Sequence, residues 1–130
     1  EVIGVIPADM VGRELAHRGL AELHVVPSMA ARKQLMFELA DAFITLPGGF
    51  GTLDELFEAL TAGLLGHHAK PVVLVDDGGY YGKLVEFLDH AVTTGLLRPQ
   101  HRALLRVVPD VEAALAAVAP PPPAPTRSVP

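Results

Sequence analysis

Ala42-Phe43-Ile44-Thr45-Leu46-Pro47-Gly48-Gly49-Phe50-Gly51-Thr52-Leu53-Asp54-Glu55 passes from a short apolar run through a glycine turn into a helical pattern continued by Leu56, Phe57 and Leu60. That order is strand, turn, helix. The glycines leave the backbone bare, so a ligand can approach it closely. A helix that starts there also points unpaired N–H groups outward. Together these make an anion site, most often for phosphate. Glu55 stands one turn further on, where it could do chemistry beside such an anion. Thr52 followed three residues later by Glu55 is also a capping-box pattern, which would explain both side chains without a ligand. Spacing alone leaves the two explanations open.

Outward from that stretch, short β-rich runs alternate with helical periodicity. Strands are predicted at Val2–Ile6, Glu22–Val26, Ala42–Leu46, Pro71–Val75 and Leu105–Val108. Helices are predicted at Met29–Asp41, Leu53–Leu65, Tyr81–Thr94 and Val111–Val118. Val72-Val73-Leu74-Val75 is apolar on both faces, as befits a parallel strand covered by helices on each side. No hairpin dipeptide joins two strands, and the connections are long enough for crossovers. The expected fold is therefore α/β, a Rossmann-like doubly wound parallel sheet with ligands at the carboxyl ends of its strands. One domain is expected over residues 1–119. Residues 120–130, with Pro120-Pro121-Pro122-Pro123-Ala124-Pro125 at their head, are expected to be a disordered polyproline-type tail, with an SH3-like ligand as the alternative.

Composition narrows the function. The chain has 130 residues, is 50% hydrophobic, and carries a net charge of −5, which speaks against a basic nucleic-acid surface. It has no cysteine, so neither disulfides nor thiolate metal sites are available. No apolar run reaches membrane-spanning length and no signal-peptide pattern opens the chain, so a soluble cytoplasmic protein is expected. His17, His24, His67, His68, His90 and His101 show no metal-ligand spacing, and surface or loop roles are expected of them.

A second cluster is Ser28-Met29-Ala30-Ala31-Arg32-Lys33. Ser28 is a good N-cap, and Leu35, Met36, Leu39 and Phe43 continue an apolar stripe that Arg32 shares. Two cations in a first turn oppose the helix dipole, so Arg32 needs an anionic partner. Glu55 or Asp41 could supply it; so could the ligand faced by the glycine turn. Asp76-Asp77-Gly78-Gly79-Tyr80-Tyr81-Gly82 follows a strand and either lines the same cleft or simply turns the chain into the next helix.

Met29-Ala30-Ala31-Arg32-Lys33 with Pro47-Gly48-Gly49-Phe50-Gly51-Thr52-Leu53-Asp54-Glu55 resembles the paired MxxRK and PGGxGTxxE signatures of the Lonely Guy family of cytokinin riboside 5′-monophosphate phosphoribohydrolases, a family often labelled lysine decarboxylase. Val2–Pro7, the Lys70-Pro71-Val72-Val73-Leu74 strand and Gly79-Tyr80-Tyr81 also look like family landmarks, and the likeness covers about residues 1–118. The resemblance implies a Rossmann-like homodimer that hydrolyses the N-glycosidic bond of an AMP-like or N6-modified nucleoside 5′-monophosphate, with no metal and no cofactor. By motif position it implies that Arg32 and Glu55 are the catalytic pair. It likewise implies that Met29, Lys33, Gly48, Gly49, Phe50, Gly51, Thr52, Leu53, Asp54 and Thr61 bind substrate. A non-catalytic nucleotide-binding module is the alternative. A pyridoxal-phosphate decarboxylase would need a Schiff-base lysine in a cofactor pocket, which Lys33, Lys70 and Lys83 do not suggest. Family members usually carry a further strand–helix–strand–helix segment ahead of the stretch resembling Val2–Pro7, so the chain is expected to be N-terminally incomplete.

Overall fold

The computed structural model describes residues 3–11, 20 and 22–120. Val2, His17 and the proline-rich tail beyond Pro120 lie outside the described residues. The chain divides into two compact units, Glu1–Asp41 and Ala42–Pro130.

In the first unit, β1 (Ile3–Pro7) leads into a single helical turn, α1 (Ala8–Val11), and pairs in parallel with β2 (Glu22–Val26). Helix α2 (Met29–Leu39) packs on both strands. Ser28 starts that helix as expected, its Oγ accepting the Ala31 N–H at 3.1 Å. The apolar stripe is less inward than its periodicity predicts. Leu35 is half-buried, but Met36 and Leu39 stay exposed and α2 has no fully buried residue.

The second unit is three layers deep. Strand β3 (Phe43–Thr45) pairs in parallel with β4 (Val72–Val75), which pairs in parallel with β5 (Leu105–Val108). Helix α3 (Phe50–Leu64) connects the first two strands. Helices α4 (Gly82–Thr93) and α5 (Pro99–Arg102) connect the second two, and α6 (Val111–Val118) closes the described chain. Register assigns the faces, because side chains alternate along a strand and in-register parallel partners point the same way. Ile44, Val73, Val75 and Val108 lie on one face against Ala114, Ala117 and Val118 of α6. Val72, Leu74 and Leu105 lie on the other, where Leu105 joins side chains of α3, α4 and α5 around a cavity of about 160 Å³. All four residues of β4 are buried, with Val73 and Leu74 at 0% exposure.

The parallel α/β, Rossmann-like fold matches the sequence expectation, and helices cover both faces of the second unit's sheet. Most boundaries agree within a residue or two. The short α1 and α5 were not expected, and each is only one turn long. The consequential difference is at α3, which begins at Phe50 rather than Leu53. The glycine turn is thus partly the first turn of the helix itself.

Leu74 is the most enclosed large side chain of the sheet, and its neighbours are held by strands on either side. Leu74→Ala is expected to lower unfolding free energy by about 2–5 kcal/mol, read as a shift of the urea midpoint. A midpoint that stayed put would show that the centre of this sheet carries little of the stability.

Candidate active site

The carboxyl ends of β3 and β4 present two loops side by side. The first, Leu46–Gly49, enters α3 with Gly49 as N-cap (φ −107°, ψ −143°), and no side chain caps the helix. Leu53 N–H donates to the Gly49 carbonyl at 3.0 Å, the first bond of the helix ladder. The N–H groups of Phe50, Gly51 and Thr52 precede that bond, so helix geometry leaves them without an intrahelical acceptor.

This start of the helix decides the question the spacing left open. A capping box needs its Ser or Thr at the N-cap, whereas Thr52 is already the third helical residue. Glu55 therefore does not reach back to Thr52's N–H as part of a cap. It is half-buried in the second turn of α3, and its side chain makes no hydrogen bond or ion pair among the described residues.

The three glycines are glycine for different reasons. At Gly48 a side chain would overlap Thr52, whose Cβ lies 2.8 Å from where a Cβ would stand. At Gly49 and Gly51 no described residue beyond the neighbouring backbone lies within 4 Å of that position. None of the three has a positive φ. Internal packing thus requires Gly48, while Gly49 and Gly51 keep the outer side of the backbone approachable. Phe50 projects beside them with 94% of its surface exposed.

The second loop turns through Gly78 (φ 62°) and Gly79 (φ 75°), both in the left-handed region that suits glycine. Asp76 holds it. Its N–H donates to the Val108 carbonyl at 2.8 Å, and its Oδ1 accepts the Tyr81 N–H at 2.7 Å. Tyr80 and Tyr81 then cross to the first loop. The Tyr81 hydroxyl donates to the Leu46 carbonyl at 2.7 Å and the Tyr80 hydroxyl to the Gly48 carbonyl at 2.8 Å. Their rings meet edge to face, 4.8 Å between centroids. Burial pushes the Tyr81 phenol above its ordinary pKa, a backbone hydrogen bond from Gly48 pulls it back, and Tyr80 adds to the rise. Asp76–Gly82 is therefore a turn into α4, as the simpler expectation had it, and also a brace for the glycine turn. A pair of tyrosines after a double-glycine turn was the available signal; their partners were not legible.

Gly48, Gly49, Phe50, Gly51, Thr52, Leu53, Asp54 and Glu55 fall together at the head of α3. Thr61 does not join them. It stands nine residues past Thr52, roughly 13 Å along the helix at 1.5 Å per residue, beside the apolar cavity. Met29, Arg32 and Lys33 share the first turn of α2 in the other unit. There the Arg32 Nη1 is 3.9 Å from the Met29 sulfur, a weak acceptor. Its Nε is shielded from water with no hydrogen-bond partner among the described residues. Neither Asp41 nor any other described acid forms a salt bridge with Arg32.

Both ring nitrogens of His68 serve the backbone. Nδ1 accepts the Lys70 N–H at 3.0 Å, which leaves Nε2 to donate to the Ala59 carbonyl at 2.8 Å. Phe43 packs against its ring. Among the described residues no group of three or more His, Asp or Glu side chains is arranged to hold a metal ion.

A glycine turn that opens a helix at the carboxyl end of a parallel strand, braced from the neighbouring strand, is the arrangement of a Rossmann-like α/β protein, a class that places ligands at its strand ends. The chain belongs to the family described as possible lysine decarboxylase, whose model matches residues 1–118. It is 50% identical over 118 residues to a cytokinin riboside 5′-monophosphate phosphoribohydrolase of Rhodococcoides fascians, covering 90% of this chain and 60% of that protein. A protein of the same name from Mycobacterium tuberculosis is 49% identical over 118 residues, 91% of this chain and 63% of the relative. An Arabidopsis thaliana protein of that name is 43% identical over 111 residues, 85% and 51% respectively. The chain thus spans about 60% of the length of the two bacterial relatives.

The different status of the glycines is directly measurable. Gly48→Ala is expected to destabilise the chain by about 1–3 kcal/mol through overpacking against Thr52. Gly51→Ala, inside the helix with open space around it, is expected to be neutral or to stabilise by up to about 1 kcal/mol. Thermal denaturation of the two variants checks the contrast; equal effects would remove the distinction.

Proposed function

We propose that this chain is a phosphoribohydrolase acting on nucleoside 5′-monophosphates, including N6-modified cytokinin ribotides, and releasing free base and ribose 5-phosphate. The observation that carries the proposal is Glu55: a half-buried carboxylate one turn into α3, not consumed by a cap, directly after a glycine turn with approachable backbone N–H groups. The names of the relatives at 43–50% identity support the same chemistry.

The reaction breaks the C1′–N bond and forms a C1′–O bond to water. As the bond to the base lengthens, its electron pair leaves with the base and positive charge builds on the sugar ring. A carboxylate beside C1′ stabilises that oxocarbenium-like charge. Glu55 can do so and also accept a proton from the attacking water, while the departing base takes up one proton, so the balance consumes one water. Phosphate would rest on the N–H groups at the head of α3, where the helix dipole favours negative charge. Arg32 is proposed as a cationic contact for the ligand on the evidence of its own helix, where its guanidinium pairs with no acid among the described residues. Met29, Lys33 and Thr61 are carried into the proposal by their motif positions alone.

A homodimer and a cytoplasmic setting go with this proposal. Leu65, Phe87 and Leu96 of the second unit are 61%, 62% and 90% exposed, apolar area that a partner subunit could cover. Nucleoside monophosphates are intracellular compounds, and no described helix is long and apolar enough to cross a membrane.

Incubation of the full chain with AMP or N6-isopentenyl-AMP, followed by chromatography, should show free base. Glu55→Gln is expected to cut that rate by about 10²–10⁴-fold, the usual reach of a general base, with AMP binding largely retained. A variant as fast as the parent removes Glu55 from the reaction. AMP binding without any base release in the parent would favour the non-catalytic nucleotide-binding module instead.

A further inference from the structure

Tyr80 is well placed to control the glycine turn. We propose that its hydroxyl is a positioning device for the phosphate group, locking the Gly48–Gly49 peptide so that the Gly49 N–H faces outward. The inference rests on the proposed use of this turn as a phosphate site.

A trans peptide is planar, with its C=O and N–H pointing in opposite directions. No described peptide bond is cis. When the Tyr80 hydroxyl draws the Gly48 carbonyl toward itself at 2.8 Å, the Gly49 N–H on the same plane must point the other way. A peptide between two glycines turns over easily, since neither residue has a Cβ to resist the change. The flipped form would turn the Gly48 carbonyl oxygen toward an incoming anion and remove one donor. No bond of the helix ladder prevents this, because the ladder begins with the Gly49 carbonyl, one peptide later. The hydroxyl of Tyr80 is the side-chain donor that holds the Gly48 carbonyl.

Tyr81 does the companion task two peptides earlier. It is buried, at 3% exposure, and its hydroxyl anchors the Leu46 carbonyl ahead of Pro47. Pro47 has no N–H to orient, so that bond fixes the path of the loop rather than a donor. Tyr80 is 59% exposed, so loss of its hydroxyl leaves the core untouched. The division of labour is clear from burial: Tyr81 supports the loop's structure, and Tyr80 sets the direction of a ligand-facing N–H.

The test is Tyr80→Phe, which keeps the ring contact and deletes one oxygen. Calorimetric titrations of parent and variant with AMP, adenosine and inorganic phosphate separate the parts of the ligand. An increase of about 3–10-fold in Kd for AMP and phosphate, the worth of one ordinary hydrogen bond, with no change for adenosine, is the expected result. The Gly49 amide resonance in a ¹⁵N spectrum should respond to phosphate in the parent and respond less in the variant. Equal AMP and phosphate affinities in the two proteins would overturn the role of Tyr80 while leaving the proposed hydrolase intact. An equal loss for adenosine would also overturn it, since the effect would then be general loosening of the loop. A parent that binds neither AMP nor phosphate would sink both readings.

Discussion

Water is excluded from both faces of β4, and the second unit is built around that exclusion. Val73 and Val75 press on α6, while Val72 and Leu74 point to the side of α3, α4 and α5. Each buried aliphatic side chain of this kind is worth about 1.5–3 kcal/mol in transfer free energy, and a strand this apolar has no stable position at an edge. With β4 central, β3 and β5 must flank it in parallel, and their crossovers must be helical. The two loops at the carboxyl ends of β3 and β4 are then neighbours by construction. The pairing of these two loops follows from the core rather than being added to it.

What those neighbouring loops do to each other is a matter of hydrogen-bond accounting. The carbonyl oxygens of the turn after β3 precede the helix ladder, which starts at the Gly49 carbonyl, so they are satisfied from outside the turn. Tyr80 and Tyr81 supply the donors, and the left-handed Gly78 and Gly79 let the chain deliver two consecutive tyrosines to the same place. Burial pushes the Tyr81 phenol further above its ordinary pKa, which favours the protonated, donating form. The glycines of the turn are accordingly not equivalent: Gly48 is set by its contact with Thr52, whereas Gly49 and Gly51 have open space beside the backbone.

Much of this was legible from residue types. The apolar run Val72–Val75 announced a covered parallel strand, Ser28 a helix start, and the paired signatures around Arg32 and Glu55 a family. Where the linear pattern fell short, a tertiary effect was responsible. The helix is expected only from Leu53 because Gly48, Gly49 and Gly51 read as a turn, whereas α3 starts at Phe50 and takes Gly51 into its first turn. The same early start removes Thr52 from the capping position. The inward stripe expected of α2 is only partly buried, since Met36 and Leu39 stay exposed.

By itself the sequence determined which segments become strands and helices, because side-chain period, glycine and capping residues act within a few positions of each other. It also placed a glycine turn and a carboxylate together at one helix start, since that needs only nearness along the chain. Tertiary structure alone decided which helix residue caps, which glycine is packed and which is open, and where two tyrosine hydroxyls go. Those hydroxyls reach carbonyls 32 and 35 residues back along the chain. Such partners are chosen by the register of β3 against β4 and by the burial that holds the strands together, and no spacing in the sequence encodes that distance.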